Sequence, residues 1–261
     1  MLINAVVLWL RETLPLLLLL SVLLAVWPAQ QRKIVSVGIG GGALLVLLMS
    51  TQLRVISAWF DGQGLEIIYS LLYVCCALLL ALAVYWRSDA QRLSVAMPQA
   101  THHPLQRSAM MSALALLCLC GIHGHNLMLY LWVYPHAQAE HTNLWLGSAL
   151  GAGIGGSVAV LLYVAALEGA RWWRYWPWVL LSMLAARQCA AAVAIWLQTG
   201  WLDAHEVLWD SSAWIDEKSE YGNFLNALMG YEATPDPTLV AVQISSFVAM
   251  LWCCRQLEIR S

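Results

Sequence analysis

Seven apolar stretches of about 20 residues divide this chain of 261 residues. Each stretch is long enough to cross the hydrocarbon core of a bilayer as a helix. Only 11% of the residues are charged, whereas soluble domains have roughly 25%. We therefore predict an all-α polytopic membrane protein whose seven transmembrane helices lie at about 2–27, 34–57, 65–86, 109–134, 143–167, 175–199 and 238–254.

The loops between these stretches alternate in charge. Basic residues occupy every second loop and the C-terminal tail, namely Arg32, Lys33, Arg87, Arg92, Arg107, Arg171, Arg174, Arg255 and Arg260. Basic loops stay on the cytoplasmic side of a membrane. This pattern predicts a multi-pass membrane protein with its N-terminus outside and its C-terminus in the cytoplasm.

Two of the predicted helices share a glycine-rich face, at 38–43 and at 146–156. Small residues at such spacing let helices approach closely. Each would be the middle helix of a three-helix unit, and an odd number of helices inverts the second unit relative to the first. We predict a single membrane domain over 1–261, with repeat one at about 1–86, repeat two at about 109–199 and a last helix at 238–254.

The 200–237 segment between the second repeat and the last helix is acidic and long for a loop. Aromatic and aliphatic residues recur at helical spacing between Ser219 and Tyr231, and Gly230 ends the pattern. Such a pattern predicts a short amphipathic helix, which we place on the outer surface of the membrane.

Charged side chains inside the predicted helices are few, and those at bilayer depth usually mark an ion or substrate path. Carboxylates supply oxygen ligands and negative charge, and imidazole suits transition metals. Glu12, Glu66 and His123 would form a mixed transition-metal site if they lie at one depth. The alternative for Arg11 and Glu12 is a structural ion pair within the first helix.

Cross-helix hydrogen bonds are the alternative interpretation for the other polar residues of the predicted helices. Arg187 could neutralise a glutamate in this way. His125 points to a different helix face from His123, because residues two apart diverge, and we interpret it as structural.

Other kinds of site are rarer or missing in the sequence. His136, Glu140 and His141 lie on the second outer loop and form a candidate site for metal to enter, although a solvated loop is the simpler interpretation. Nucleophile elbows, phosphate-binding loops and dinucleotide glycine patterns are absent, so the sequence does not suggest an enzyme. The formal net charge of -2 argues against nucleic-acid binding.

Several stretches resemble the iron permease family of oxidase-dependent uptake systems. They are Arg11-Glu12 in the first helix, 62–66 running into 83–86 in the third, and 208–237 before the last helix. The resemblance covers nearly the whole chain and implies seven helices with inverted repeats. It also implies that helices one and four each place an Arg-Glu-x-x-Glu motif on the path of iron.

The chain departs from this family pattern at several acidic positions. Pro15 stands at the second glutamate position of helix one, and Tyr69 at the second acidic position of helix three. In helix four, His123 and Asn126 would replace the two glutamates. The resemblance therefore implies a permeation path of Glu12, Glu66, His123 and Asn126, supported by Arg11 and Arg187.

We expect from the resemblance a divergent inner-membrane permease for iron, in its ferrous form, or a related divalent metal. The transported ion would be the only metal, with no permanently bound cofactor. The alternative is a non-transporting membrane subunit that keeps the permease fold and anchors a periplasmic partner. Expected partners are membrane lipid and a periplasmic ferroxidase, cupredoxin-like or metal-binding protein, but no nucleic acid.

Overall fold

The computed structural model describes residues 2–96, 102–137, 141–217 and 219–256. Within these ranges the chain is all-α, and seven helices are long and apolar enough to cross a membrane. The prediction of an all-α polytopic membrane protein is therefore confirmed. The helices of the described ranges are α1 (Leu2–Val26), α2 (Ala29–Thr51), α3 (Leu53–Ser57), α4 (Gly64–Ala96), α5 (His102–Ala137), α6 (His141–Trp172), α7 (Trp176–Gln198), α8 (Glu220–Met229) and α9 (Pro237–Gln256).

Two helices extend beyond the predicted apolar spans. The sequence predicts a loop over 87–108, but α4 continues to Ala96 and α5 begins at His102. This part of the prediction is wrong because apolar length shows only where a helix can lie in a bilayer. Arg, Gln and Ala are good helix formers and prolong both helices past that limit.

The glycine-rich helices pack closely, as the spacing of their small residues predicts. In α2, a Cβ added at Gly38 would meet the backbone carbonyl of Ala113 in α5. In α6, a Cβ added at Gly151 would lie 2.6 Å from the Cβ of Trp9 in α1. The first helix of each predicted unit thus packs on the glycine-rich helix of the other. The inverted-repeat relationship itself stays a prediction.

The hydrophobic core joins α1, α4, α5 and α7. Its fully buried members come from the half of α1 that the sequence predicts on the cytoplasmic side, and from the helices that face this half. They include Leu18, Leu19, Leu23, Leu80, Leu116, Leu119, Leu181 and Leu184. The indole N–H of Trp27 donates to Ser112 Oγ over 3.1 Å and closes this end of the core. α5 and α7 contact α1 directly, and α4 packs against α5 and α7.

The amphipathic helix predicted before the last span is present as α8. The hydroxyl of Ser219 accepts from the N–H of Gly222 at its N-terminus, and Gly230 adopts a left-handed φ of 71° at its C-terminus. Its predicted place on the outer surface is wrong. α8 contacts α1 and α7, Ala227 is buried, and the apolar side of α8 packs against the central core.

The depth of α8 follows from one hydrogen-bonded pair. Arg187 lies in the middle of α7 (Trp176–Gln198) and donates to Asn226 in α8. α8 therefore enters the bundle to about the middle of a spanning helix. Apolar residues at helical spacing predict which face is buried, and they do not distinguish a membrane surface from a groove between helices.

Candidate permeation site

Glu12 lies in the interior of α1, and its carboxylate meets two side chains of α5. His123 Nδ1 lies 3.0 Å from Glu12 Oε2, and Asn126 Nδ2 donates to the same oxygen over 3.3 Å. Both α5 residues reach one carboxylate because residues three apart share a helix face. The exposed fraction of Glu12 is only 8%, so its charge is compensated inside the protein. The structure thus brings together three of the predicted path residues.

Two tyrosines of α4 extend this contact. The hydroxyl of Tyr69 donates to Asn126 Oδ1 over 3.0 Å, which orients the amide so that its N–H₂ faces Glu12. The ring of Tyr73 packs edge-on against the ring of His123, with centroids 6.2 Å apart. Hydrogen bonds and an aromatic contact therefore join side chains of α1, α4 and α5. We call this group, Glu12, Tyr69, Tyr73, His123 and Asn126, the central site.

The hydrogen bond to Glu12 determines what His123 can bind. A carboxylate oxygen accepts, so the hydrogen is assigned to Nδ1 and the lone pair to Nε2. Nε2 is buried and has no hydrogen-bond partner among the described residues. A histidine whose other nitrogen donates to a carboxylate is a common arrangement in metal sites. The central site can therefore offer one nitrogen ligand, His123 Nε2, with the Glu12 carboxylate hydrogen-bonded behind the imidazole.

Glu66 lies outside the central site. It is in the first turn of α4, its side chain is exposed, and the central site contains Tyr69 from the next turn instead. In the described part of the chain, no group of three or more His, Cys, Asp or Glu side chains could hold a metal. Glu12, Glu66 and His123 thus do not form the predicted mixed site. A role for Glu66 elsewhere on the path stays a prediction.

Arg11 does not pair with Glu12. Its side chain is exposed, and the structure records no ion pair between these two residues. Consecutive helical residues point about 100° apart, so Glu12 faces α5 while Arg11 faces away. Pro15 is buried within α1, where it cannot donate a backbone hydrogen bond. The structural ion pair considered from the sequence is therefore replaced by the bond between Glu12 and His123.

Arg187 is buried, and its main partner is not a glutamate. Its Nε donates to the carbonyl of Asn226 over 2.7 Å, and its Nη2 lies 3.4 Å from Asn226 Oδ1. It nevertheless lies within electrostatic range of Glu12 and Tyr73. The direct neutralisation of a glutamate considered from the sequence is therefore wrong. Arg187 connects the surroundings of the central site to α8.

The remaining predicted residues divide into one structural histidine and one undescribed group. His125 is fully buried, and its Nδ1 lies 3.3 Å from Ser50 Oγ in α2, which agrees with the predicted cross-helix role. For the predicted metal-entering site, Glu140 lies outside the described residues. The side chains of His136 and His141 also lie outside the described part, so this site stays a prediction.

Sequence reasoning missed Tyr69, Tyr73 and Asn226. Tyr69 was considered only as a lost acid, although it lies three residues after Glu66 and so on the same face of α4. Tyr73 follows four residues later on that face. This polar and aromatic spacing was the available signal. For Asn226 the sequence contains none, because its contact depends on where α8 packs.

Comparison with known proteins finds relatives that are named ferrous iron permeases. The chain is 24% identical over 247 residues to the ferrous iron permease EfeU of Escherichia coli O6:K15:H31 (strain 536 / UPEC), and equally to that of Shigella sonnei (strain Ss046). The match covers 89% of this chain and 88% of each relative. No family model and no solved structure matches. Over most of its length, this multi-pass membrane protein is therefore similar to ferrous iron permeases, which supports a relationship to the iron permease family.

Proposed function

We propose that this protein is a permease that moves iron, as Fe²⁺, or a related divalent metal across the membrane. The single observation that supports it best is the central site, where Glu12 meets His123 and Asn126 inside the bundle. These residues join α1 and α5, the first helices of the two predicted units. Sites of this kind lie between inverted repeats near the middle of the membrane.

The composition of the central site favours a divalent ion over a trivalent one. It contains one carboxylate, one imidazole, one amide and one phenol, from Glu12, His123, Asn126 and Tyr69. A buried ion needs compensating charge, and a single carboxylate compensates little of a charge of three. Imidazole also suits ferrous iron and later divalent metals. The relatives are named ferrous iron permeases, which agrees with this choice.

The proposal includes a direction and a location. We infer that transport runs inward across the bacterial inner membrane, with the N-terminus outside, because the basic loops alternate as the positive-inside rule requires. In this orientation the 199–217 segment lies on the outer side. A periplasmic ferroxidase, cupredoxin-like or metal-binding protein would meet the permease there.

The alternative function is a non-transporting subunit that anchors such a partner. The observation that favours it is the loss of acids, since Tyr69 and Asn126 occupy positions where the resemblance implies carboxylates. In this case the bond between Glu12 and His123 would be structural. Transport by the wild-type protein separates the two functions directly.

The experiment is uptake of radioactive Fe²⁺, kept reduced with ascorbate, by cells that lack their own high-affinity iron uptake. Cells expressing the wild type should accumulate iron, and those expressing Glu12→Gln should lose most of this uptake. Glu168→Gln is the matched control, because Glu168 is exposed and pairs only with the nearby Arg171. Equal uptake with Glu12→Gln would exclude the central site, and no uptake by the wild type would favour the anchoring subunit.

A further inference from the structure

α8 fills a place between α1 and α7 beside the central site. Phe224 and Leu228 pack against the central core, and Phe224 faces a cavity of about 540 Å³ together with Leu10 and Leu14 of α1. Leu10 and Leu14 lie two residues before and after Glu12, so they point to a different face of α1. α8 reaches the surroundings of the central site through Arg187, which bonds Asn226 and lies within electrostatic range of Glu12.

Few hydrogen bonds hold the C-terminal end of α8 in this place. Arg187 of α7 donates to the carbonyl and side chain of Asn226. Gln243 of α9 donates to the carbonyl of Met229. Gly230 follows with a positive φ, a conformation that glycine adopts without strain. Polar side chains of two spanning helices thus hold α8, and the chain can turn at the glycine that ends it.

Glu232 lies next to these bonds without a partner. It lines a cavity of about 30 Å³ together with Arg187, Asn226 and Gly230, which is about the volume of one water molecule. Among the described residues, Glu232 has no hydrogen bond and no ion pair. The Nη1 of Arg187 is also buried without a partner. Glu232 and Arg187 therefore line one small cavity, and no interaction between them is recorded.

Among the described residues, the charges that act on Glu232 are those of the acids Glu217 and Asp236, which have hydrogen-bond partners of their own. Glu217 Oε1 accepts from the N–H of Ala233 over 2.7 Å. Asp236 accepts from the N–H groups of His205 and Thr238, each over 2.7 Å. Burial, together with the like charges of Glu217 and Asp236, raises the pKa of Glu232 to about 7. Its ionised form is therefore disfavoured in this arrangement.

We propose that Glu232 is a proton-binding site that controls α8 as a lid beside the central site. Protonated Glu232 keeps the lid in the observed closed arrangement. Ionised Glu232 favours an arrangement in which the 230–236 segment is hydrated and Asn226 leaves Arg187. The role of the lid in metal passage rests on the proposed function, whereas the proton-controlled release does not.

The direction of the effect follows from linkage. A carboxyl whose pKa is higher in the closed form than in water binds its proton more tightly when the lid is closed. Raising the pH therefore shifts the population toward the open form. For one site titrating near pH 7, the open-to-closed ratio rises by up to about tenfold between pH 6 and pH 8.

Hydrogen exchange of the full-length protein in lipid nanodiscs tests this directly. We expect the protection factors of the amides in 223–231, each normalised to its intrinsic exchange rate, to fall severalfold from pH 6 to pH 8 in the wild type. Glu232→Gln keeps the shape of the side chain without its charge and should stay protected at both pH values. Glu206→Gln, exposed on the same segment, is the matched control and should behave as the wild type.

A second variant tests the bonds to α7. Asn226→Ala removes the side-chain acceptor and should lower protection of α8 at both pH values, while α7 keeps its protection. The proposal is overturned if Glu232→Gln keeps the wild-type pH response, or if α8 is as protected as α7 at pH 6 and pH 8. Hydrogen exchange is measured without metal, so it tests the lid independently of transport. If the pH response is intact but the protein takes up no iron, the proposed function is overturned and the lid is not.

Discussion

His123 donates from Nδ1 to Glu12 Oε2 over 3.0 Å, and this hydrogen bond joins α5 to α1 inside the bundle. It compensates a buried carboxylate and at the same time leaves Nε2 of the imidazole with a free lone pair. One contact therefore contributes both to stability and to a candidate ligand for metal. Several measurements can separate these contributions.

The first prediction concerns the energy of this contact. His123→Ala leaves the Glu12 carboxylate buried without its main donor and should lower the free energy of unfolding by about 1–3 kcal/mol. Glu12→Gln should cost less, because the amide can still accept. In a double-mutant cycle the two changes should couple by about 0.5–3 kcal/mol, measured by thermal unfolding in detergent. Additive effects would show that the two side chains do not interact.

The second prediction concerns the packing of α2 against α5. Gly38→Ala places a methyl group on the backbone carbonyl of Ala113, which cannot rotate away, so it should destabilise the protein by about 1–3 kcal/mol. Gly40→Ala is the matched control, because no heavy atom lies within 4 Å of its added Cβ. Thermal unfolding of both variants measures the difference. Equal effects would contradict the observed helix contact.

The third prediction concerns stability as a function of pH. The pKa of Glu232 is about 7 in the folded protein and 4.5 ordinarily, so the folded state binds this proton more tightly than the unfolded state. The stabilisation is complete below pH 4.5 and is lost as the pH rises through 7. After allowance for partial exposure, it amounts to about 1 kcal/mol.

Thermal unfolding between pH 5 and pH 8 measures this contribution. The unfolding temperature of Glu232→Gln should fall less over this range than that of the wild type. Glu206→Gln, whose side chain is exposed, should follow the wild type. Parallel curves for the wild type and Glu232→Gln would show that another group titrates.

The fourth prediction concerns the 199–217 segment. The hydroxyl of Tyr231 donates to the carbonyl of Ile215 over 3.1 Å and lies 2.7 Å from Ser211 Oγ. Tyr231→Phe removes both bonds and should weaken the attachment of this segment by about 1–2 kcal/mol. Limited proteolysis should then cleave 199–217 faster. Tyr221→Phe is the control, because the Tyr221 side chain is 80% exposed; equal rates in both variants would contradict the attachment.

The spanning helices could be predicted from the sequence because each depends on its own residues. An apolar stretch must form its backbone hydrogen bonds internally once it enters a bilayer, so length and composition are sufficient to predict a helix. The glycine faces of α2 and α6 could be predicted for the same local reason. The bounds of α4 and α5 could not, because helix propensity continues past the apolar residues.

The sequence by itself determined the fold class and the position of Glu12 inside an apolar span, whereas His123 and Asn126 were expected on the path from the resemblance. Only the tertiary structure decided which of the predicted residues meet: Glu12 contacts His123, whereas Glu66 stays exposed and Tyr69 enters the central site instead. It also moved α8 from the predicted surface into the bundle. The physical reason is that periodicity defines the faces of one helix, whereas contacts between helices depend on how several faces pack together.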